Sequence, residues 1–369
     1  MPYPMHAVIL PEYDQPLEVD VVEIDPPGPR EVLVEMRASG VCRSDWHAIR
    51  GHLPLPVPLV LGHEGAGIVR EVGPEVDRVH PGDRVVLSWI PSCGVCQYCV
   101  NGQPELCDRA NNAAVEGTLP SGQTRVRWRN EPISVFSATG TLADLAVVSV
   151  DSVVPIPASM PFDQAALLGC AVQTGVGAAL RSPIKPGDSV AVIGAGGVGL
   201  NIVQGAKIRG AAEILVVDPS KANRQLARDF GATQTIDPDS DNPLLAILDL
   251  THDRGVDVGF EAVGDVELLA LAFNAVRKGG TAVAVGVPAP NDAVSLNAFA
   301  FVSQEKTLTG SWYGSSFPLR DIPRLCALWS TGQLRLEPLI QRRYTLADTA
   351  RAFEDLAKAR GGRSVIVWS

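Results

Sequence analysis

The clearest fold signal in the second half of the chain is Val190-Ala-Val-Ile-Gly194-Ala-Gly196-Gly197-Val198-Gly199. A short apolar run ends in closely spaced glycines and continues into residues that can form a helix. Gly194 allows a tight turn, Gly196 lets backbone N–H groups approach a pyrophosphate, and Gly199 lets the helix pack closely on the strand. The spacing therefore predicts a strand, a glycine-rich turn and a helix that together bind a dinucleotide. The alternative is a structural turn without a ligand.

An acidic residue supports the dinucleotide interpretation. Asp218 closes the next predicted strand, at the distance from Gly199 that this kind of site requires. An acid there accepts hydrogen bonds from the adenosine ribose hydroxyls and repels a 2′-phosphate. Pro219 follows it, rather than an arginine or a lysine. The sequence therefore predicts NAD rather than NADP.

Strands and helices alternate around this turn. The predicted strands are 190–193, 214–217, 256–261, 281–285 and 307–310, and the predicted helices are 162–180, 199–209 and 220–230. Such alternation predicts a parallel sheet with crossover helices. After residue 312 the pattern predicts helices over 321–332 and 346–359 and a last strand over 364–368.

The first 150 residues have a different pattern. Valine-rich runs over 31–36, 67–72 and 83–87 are separated by Pro and Gly turns. This predicts a twisted or barrel-like sheet with functional loops. A chain of 369 residues fits two domains. The fold class expected is α/β, with a β-rich domain and a doubly wound parallel-sheet domain.

Composition excludes several function classes. The chain is 46% hydrophobic and 20% charged, with a formal net charge of −10. A basic face for nucleic acid or an anionic membrane is therefore not expected. Residues 1–10 lack the basic start and apolar run of a signal peptide. No apolar run approaches the roughly 18 residues of a membrane span. We expect a cytoplasmic protein.

Four of the seven cysteines crowd into one segment: Cys93, Cys96, Cys99 and Cys107. In a reducing compartment such a cluster indicates metal binding rather than disulfides. Four sulfur ligands suit a closed, tetrahedral structural zinc. The alternative is four unrelated free thiols.

The other cysteines are Cys42, Cys170 and Cys326. Two thiolates and one imidazole make a zinc site with an open fourth position, which is the catalytic form of zinc. Cys42, Cys170 and His63 could supply such a set, but they are far apart and their spacing alone does not join them. Cys326 lies in an apolar helical pattern and is expected to be a core residue.

Taken together, these motifs resemble the zinc-dependent medium-chain alcohol dehydrogenases over essentially the whole chain. The resemblance is carried, in the order of the family, by Gly62-His63-Glu64-Gly65-Ala66-Gly67, the four-cysteine segment, Gly169-Cys170-Ala-Val-Gln-Thr174-Gly175, the glycine turn and Asp218. It implies a GroES-like catalytic domain from residues 1–171 and 313–369, with a Rossmann NAD-binding domain over 172–312.

The resemblance also implies an activity and its cofactors. The chain would pass a hydride between a primary alcohol or aldehyde and NAD, with two zinc ions per subunit. Cys42, His63 and Cys170 would bind the catalytic zinc, and the four-cysteine segment the structural zinc.

Further residues match the family position by position. Ser44 matches the hydroxyl that touches the substrate oxygen, and His47 matches the histidine that passes the proton to solvent. Asp45 and Glu64 match acids that orient ligands near the zinc. A capping serine, a surface histidine and solvated charges are the corresponding alternatives.

The expected cofactor contacts reach beyond the glycine turn. Arg43 and Arg363 match cations that pair with the cofactor pyrophosphate, since a planar guanidinium suits phosphate oxygens. The complete expected cofactor set is Arg43, Thr174, Gly194, Gly196, Gly197, Val198, Gly199, Asp218, Val287 and Arg363.

The segment from Asp108 to Leu142 reads as an extended loop, which resembles the longer branch of the family with the liver-type and glutathione-linked formaldehyde enzymes. That branch implies a homodimer. Asn111 stands where the glutathione-linked enzymes carry a basic residue, which argues against that role. The substrate pocket positions are Leu53, Trp89, Phe136, Val287 and Trp312. Their apolar character favours aromatic or allylic alcohols, unless some of them are core residues.

Other functions remain open to the sequence. A polyol dehydrogenase or a specialised biosynthetic reductase could use the same scaffold, although Cys170 argues mildly against the polyol branch. A non-catalytic protein that binds zinc and a nucleotide, like the lens crystallins recruited from this superfamily, is the most distant alternative. The expected partner is a small-molecule substrate.

Overall fold

The computed structural model describes residues 1–358 and 361–368. The chain forms two compact units, one from Met1–Cys170 with Phe317–Ser369 and the other from Ala171–Ser316. The boundaries expected from the sequence were 171/172 and 312/313. Within the described ranges, no helix is long and apolar enough to cross a membrane.

The strands and helices are numbered in chain order. The strands are β1 (Tyr3–Leu10), β2 (Glu18–Ile24), β3 (Glu31–Val41), β4 (Leu59–Val60), β5 (Glu64–Val72), β6 (Arg84–Leu87), β7 (Val126–Trp128), β8 (Glu131–Pro132), β9 (Ser134–Val135), β10 (Leu145–Ser149), β11 (Val153–Pro155), β12 (Ser189–Ile193), β13 (Glu213–Val217), β14 (Gln234–Ile236), β15 (Val256–Glu261), β16 (Val276–Ala284), β17 (Thr307–Gly310), β18 (Ile340–Tyr344) and β19 (Arg363–Val367). The helices are α1 (Arg43–Ile49), α2 (Gln97–Val100), α3 (Asp108–Glu116), α4 (Phe162–Ala166), α5 (Ala171–Arg181), α6 (Gly197–Ile208), α7 (Lys221–Phe230), α8 (Pro243–Leu250), α9 (Val266–Ala275), α10 (Ala298–Ser303), α11 (Pro318–Ser330) and α12 (Thr349–Ala357).

The first unit contains two sheets. One has the strand order β8-β7-β2-β1-β4-β9, and the other has the order β11-β6-β5-β3-β19-β18, with β10 paired to β3. Strand β1 is buried on both faces: Ala7 and Ile9 belong to one apolar core, and Val8 and Leu10 to another. This follows from the period of two in a strand, which turns successive side chains to opposite faces.

Two strand pairings of β3 position the candidate site. Gly40 of β3 lies opposite Glu64 of β5, and Val41 lies opposite Ser364 of β19. Both pairings are antiparallel. The end of β3 is therefore flanked by the start of β5 on one side and by the start of β19 on the other.

The second unit is built on a six-stranded parallel sheet. Its strand order is β14-β13-β12-β15-β16-β17, so the first strand in sequence lies in the middle. Three strands run to one side and three to the other, which is the doubly wound Rossmann order. The glycine-rich turn follows the central strand β12, where the strand order reverses.

Three local predictions were wrong. The helix predicted over 162–180 is two helices, α4 and α5, separated by a 3₁₀ turn and by Cys170, whose φ of −146° and ψ of −77° are not helical. Apolar periodicity cannot detect this break, because both sides of it are buried. A 3₁₀ turn over Leu346–Asp348 replaces the start of the helix predicted over 346–359, and α12 ends at Ala357. Residue 359 lies outside the described residues.

The segment 108–142 is not the extended loop that the sequence indicated. It contains α3 and the three short strands β7, β8 and β9. Helix α3 buries Ala110 and Ala113 and ends at Gly117, which has the left-handed conformation common at helix C-termini. Besides α3, helices α1, α2, α8, α9 and α10 were not predicted.

Candidate active site

Four potential metal ligands meet in the first unit. The ligand atoms of Cys42, His63, Glu64 and Cys170 all lie within 4.8 Å of one another, and all four residues are buried. Cys42 follows β3, His63 and Glu64 stand at the start of β5, and Cys170 lies at the break before α5. The pairing of β3 with β5 therefore brings together residues that sequence spacing did not connect.

The donor set fits a zinc ion. Zinc takes Cys sulfur at about 2.3 Å and His nitrogen at about 2.0 Å in a tetrahedron, so its ligand atoms lie roughly 3.5–3.8 Å apart. Donor atoms within 4.8 Å of one another satisfy this requirement with small side-chain adjustments. Two thiols and an imidazole are the soft and borderline ligands that zinc prefers, and Glu64 is a further oxygen donor at the same place.

Asp45 orients the imidazole of His63. Its Oδ2 lies 3.1 Å from His63 Nδ1, and its Oδ1 accepts a hydrogen bond from the backbone N–H of Gly62 at 2.8 Å. Burial lowers the pKa of His63, but the negative charges of Asp45 and Cys42 outweigh this and raise it well above its usual value. Because Asp45 occupies Nδ1, Nε2 is the nitrogen left for a metal.

The contact between Cys42 and Cys170 shifts the pKa values of the two thiols in opposite directions. The contact with Cys170 lowers the pKa of Cys42 well below its usual value despite burial, and the charge of His63 acts in the same direction. The same contact and burial raise the pKa of Cys170. A thiolate is therefore favoured at Cys42 before any metal binds, which is the state that a metal ligand needs.

Arg363 is buried against Glu64. Its guanidinium donates a short hydrogen bond to Glu64 Oε2, and it is only 5% exposed. Burial raises the pKa of Glu64 to about 7, although the charge of Arg363 opposes the shift. We expected Arg363 to pair with a cofactor phosphate. The structure gives it this carboxylate as an ion-pair partner, and the expected phosphate contact stays a prediction.

The two residues expected to carry the proton lie on α1, directly after Cys42. Ser44 Oγ is 3.8 Å from Cys42 Sγ, and Ser44 is partly exposed. His47 is also partly exposed, and its Nδ1 lies 3.2 Å from Nδ1 of His52. Burial, His52 and Arg43 lower the pKa of His47. Sequence reasoning did not identify His52.

The predicted pocket residues differ in their surroundings. Phe136 is buried, and its ring meets the His63 imidazole edge-on, with centroids 5.1 Å apart. Leu53 and Trp89 are half-buried in the same unit. Val287 and Trp312, in the second unit, are 44% and 40% exposed. The structure thus places Phe136 beside the metal-ligand cluster.

The four cysteines Cys93, Cys96, Cys99 and Cys107 form a second cluster, with all sulfur atoms within 4.8 Å of one another. None of them forms a disulfide. The backbone N–H groups of Cys93 and Cys96 point to the sulfurs of Cys107 and Cys93, each at 3.3 Å. The backbone N–H of Cys99 lowers the pKa of Cys96 to about 6, whereas burial raises the pKa of Cys99 and Cys107. This donor set fits a closed tetrahedral zinc site.

The glycine turn of the second unit has the geometry that its spacing predicted. Gly194 has a φ of +92°, and α6 begins at Gly197 with Gly196 as its N-cap. Asp218 Oδ2 accepts a hydrogen bond from the N–H of Ala195 at 2.7 Å, and its Oδ1 accepts one from Asn223 Nδ2. Asp218 is therefore hydrogen-bonded to the glycine turn. Thr174 is buried and Arg43 is exposed.

Comparison with known proteins identifies the family. Residues 28–158 match the family described as alcohol dehydrogenase GroES-like domain, and residues 197–330 match the family described as zinc-binding dehydrogenase. An NDMA-dependent alcohol dehydrogenase from Amycolatopsis methanolica is 36% identical over 367 residues, 98% of each chain. Alcohol dehydrogenase B from Mycobacterium tuberculosis is 36% identical over 360 residues, 96% of each chain. The chain belongs to the zinc-dependent medium-chain alcohol dehydrogenase family.

Solved structures agree with this assignment. The benzyl alcohol dehydrogenase of Acinetobacter calcoaceticus superimposes with a TM-score of 0.94 at 30% identity, covering 100% of both chains. An alcohol dehydrogenase zinc-binding domain protein from Burkholderia ambifaria gives a TM-score of 0.95 at 30% identity, with the same coverage. The predicted family and the α/β fold of a GroES-like domain plus a Rossmann-like domain are confirmed. The protein is an enzyme of zinc-dependent alcohol oxidoreduction that uses zinc and a nicotinamide cofactor on small-molecule substrates.

Proposed function

We propose that this enzyme transfers a hydride between a primary alcohol, or its aldehyde, and NAD, with Cys42, His63 and Cys170 as the ligands of its catalytic zinc. The observation that carries the proposal is the buried cluster of two thiols and one imidazole, with all donor atoms within 4.8 Å. A zinc ion bound there supplies a Lewis acid that lowers the pKa of a bound hydroxyl and polarises a carbonyl.

The neighbouring side chains have separate tasks in this proposal. Asp45 holds the tautomer and orientation of His63 through its 3.1 Å contact with Nδ1. Arg363 compensates the charge of Glu64 inside the protein. As Ser44 takes the proton of the substrate hydroxyl, its own hydroxyl proton leaves towards His47, which accepts it and carries it outward, because the lowered pKa of His47 keeps the imidazole neutral.

The coenzyme proposal rests on the glycine turn. Its backbone N–H groups at the start of α6 suit a pyrophosphate. Asp218 stands at the end of β13, where an acid selects the ribose hydroxyls of NAD over the phosphate of NADP. Thr174, Val287, Arg43 and Arg363 complete the proposed contacts.

The substrate class proposed is an aromatic or allylic primary alcohol. Phe136 beside His63 gives the site an apolar, aromatic wall. The chain is also similar over its whole length to a benzyl alcohol dehydrogenase. Leu53, Trp89, Val287 and Trp312 are the further proposed pocket residues.

Three additional proposals concern the whole protein. The cluster of Cys93, Cys96, Cys99 and Cys107 holds a structural zinc, which makes two zinc ions per chain. The enzyme is a homodimer of the longer, liver-type branch, as the resemblance implies, and size-exclusion chromatography with light scattering tests its mass. The cytoplasm is its proposed compartment, in keeping with seven cysteines of which none forms a disulfide.

Metal analysis combined with coenzyme absorbance tests the main proposal. We expect two zinc ions per chain, and an increase in absorbance at 340 nm with benzyl and cinnamyl alcohol that is faster than with ethanol or sorbitol. The Cys42→Ala variant should lose one zinc ion and its turnover. Cys326→Ala is the matched control, because Cys326 is also a buried cysteine but lies in neither cluster. Normal turnover of Cys42→Ala with a full zinc count would contradict the ligand assignment.

The similarity to an NDMA-dependent enzyme adds one measurement. The assay is repeated with NDMA, and the nicotinamide released from acid-denatured protein is counted. Turnover with free NAD alone means that the coenzyme exchanges. Turnover only with NDMA, together with one nicotinamide per chain in the purified protein, means that the coenzyme stays bound between turnovers.

A further inference from the structure

Two histidines face each other at the end of helix α1. Nδ1 of His47 lies 3.2 Å from Nδ1 of His52, and the ring centroids are 5.4 Å apart at an interplanar angle of 42°. A hydrogen bond between two Nδ1 atoms requires one ring to carry its proton on Nδ1 and the other to carry it on Nε2. The two imidazoles are therefore opposite tautomers with one proton between their Nδ1 atoms.

The end of the helix forces this contact. The N–H of Gly51 donates to the carbonyl of Ala48 at 3.1 Å, and the N–H of His52 donates to the carbonyl of His47 at 2.9 Å. Gly51 has a φ of +67°. These two bonds form a Schellman motif, which places the residue after the glycine against the residue five positions earlier. At this position such motifs often carry an apolar pair, whereas here they carry two imidazoles.

The charges around the pair favour proton passage towards His52. His47 is partly buried, and burial, His52 and Arg43 lower its pKa while Cys42 raises it. Arg50, the other cation of this turn, forms an ion pair with Asp14, with 2.6 Å between the guanidinium nitrogen and Oδ1. His52 is exposed to solvent, whereas His47 is only partly so. A proton on His47 therefore has a solvent-exposed imidazole nitrogen 3.2 Å away.

We propose that His52 is a second proton relay, which takes the proton collected by His47 and releases it to water. This inference rests on the proposed function, in which His47 carries the proton of the substrate hydroxyl. The proton arrives at Nε2 of His47, and the N–H bond at Nδ1 of His47 breaks as one forms at Nδ1 of His52. His52 then loses its Nε2 proton to a water molecule. Both rings end neutral and return to their first tautomers by exchange with water, and aldehyde reduction runs the same steps backwards.

Transient kinetics of proton release test the relay. A pH-indicator dye follows proton release in a single turnover of the zinc-loaded enzyme, and absorbance at 340 nm follows hydride transfer in the same mixing experiment. We expect His52→Gln to slow proton release about tenfold, less than the 10²- to 10⁴-fold typical of a group that acts on the substrate directly. His47→Gln should slow proton release more than His52→Gln does. The double variant should be no slower than His47→Gln, because His52 acts only through His47.

Buffer dependence separates a relay from a structural role. In His52→Ala, added HEPES at constant pH and ionic strength should restore proton release in proportion to its concentration, while the wild-type rate should not depend on HEPES. His80→Gln is the matched control, since His80 is an exposed histidine on another loop. If His47→Gln slows proton release and His52→Gln does not, the relay is overturned and the proposed function stands. If His47→Gln has no effect, the proton route of the proposed function fails, and the relay fails with it.

Discussion

Two glycines of the same turn should respond to alanine in opposite ways. A Cβ atom at Gly199 would lie 1.8 Å from the carbonyl oxygen of Gly194 and 2.9 Å from its carbon, whereas a Cβ at Gly196 would meet nothing within 4 Å. Ordinary contacts begin near 3.4 Å. The start of α6 would therefore have to move by about 1.6 Å from the end of β12, and the obstructing atom belongs to the backbone, which cannot rotate away.

The structural cost of Gly199→Ala follows from this overlap. Overpacking of a tight site costs about 1–3 kcal/mol, and a backbone obstacle places this variant near 3 kcal/mol. With an unfolding entropy of about 2.1 cal/mol/K per residue, this corresponds to a fall in Tm of roughly 4 °C for a chain of 369 residues. Gly196→Ala should cost about 1 kcal/mol or less, the loss expected for alanine at a helix N-cap. Its effect should appear in coenzyme binding, because the new methyl group occupies the face that a pyrophosphate approaches.

Thermal unfolding without coenzyme and calorimetric titration with NAD distinguish the two effects. We expect Gly199→Ala to lose stability, and Gly196→Ala to keep most of its stability but bind NAD at least about tenfold more weakly. Equal loss of stability in both variants would refute the packing argument. Unchanged NAD affinity in Gly196→Ala would refute the placement of the pyrophosphate.

Three further predictions concern the two cysteine clusters and their surroundings. Cys107→Ser should lower the zinc content by one ion per chain and reduce Tm, measured by plasma mass spectrometry and calorimetry; an unchanged zinc count contradicts the structural site. Arg363→Met should lower the stability relative to wild type more at pH 8 than near pH 5, by up to about 1.4 kcal/mol for the one pH unit above the pKa of Glu64. The sign follows because Glu64, whose pKa is about 7, is ionised in the wild type at pH 8 with Arg363 balancing its charge, whereas without Arg363 the buried carboxyl must hold its proton or carry that charge without the guanidinium. Urea unfolding at pH 5 and pH 8 measures the free energy of unfolding of both proteins. A loss of stability that is the same at both pH values would contradict the prediction. Phe136→Ala should reduce kcat/KM for benzyl alcohol relative to ethanol by about tenfold, and an unchanged ratio would exclude Phe136 from the pocket.

Local patterns predicted the features that depend only on neighbouring residues. The glycine turn after β12, the acid at the end of β13 and the four-cysteine cluster each lie within one short segment, so spacing is enough to recognise them. The pair of His47 and His52 was also local, since both rings belong to one helix end. Its signal in the sequence is Gly51 directly before His52, since a glycine there predicts a helix C-terminus that brings His52 back onto His47.

The break at Cys170 shows where local patterns fail. Apolar periodicity continues across it, so the sequence predicted one helix over 162–180. A Cβ atom at Gly169 would lie 2.6 Å from the carbonyl oxygen of Leu87, far away in sequence. This close approach is a contact of the folded chain. It lies at the turn that directs Cys170 towards the other metal ligands.

Residue types and their spacing were enough to predict which residues can bind zinc, which turn can bind a dinucleotide, and that strands alternate with helices around that turn. Cys42, His63 and Cys170 meet, and Arg363 lies against Glu64, only in the folded chain. Strand register accounts for much of this. Antiparallel pairing sets Gly40 opposite Glu64 and Val41 opposite Ser364, and such long-range pairings depend on how whole sheets pack rather than on any local spacing.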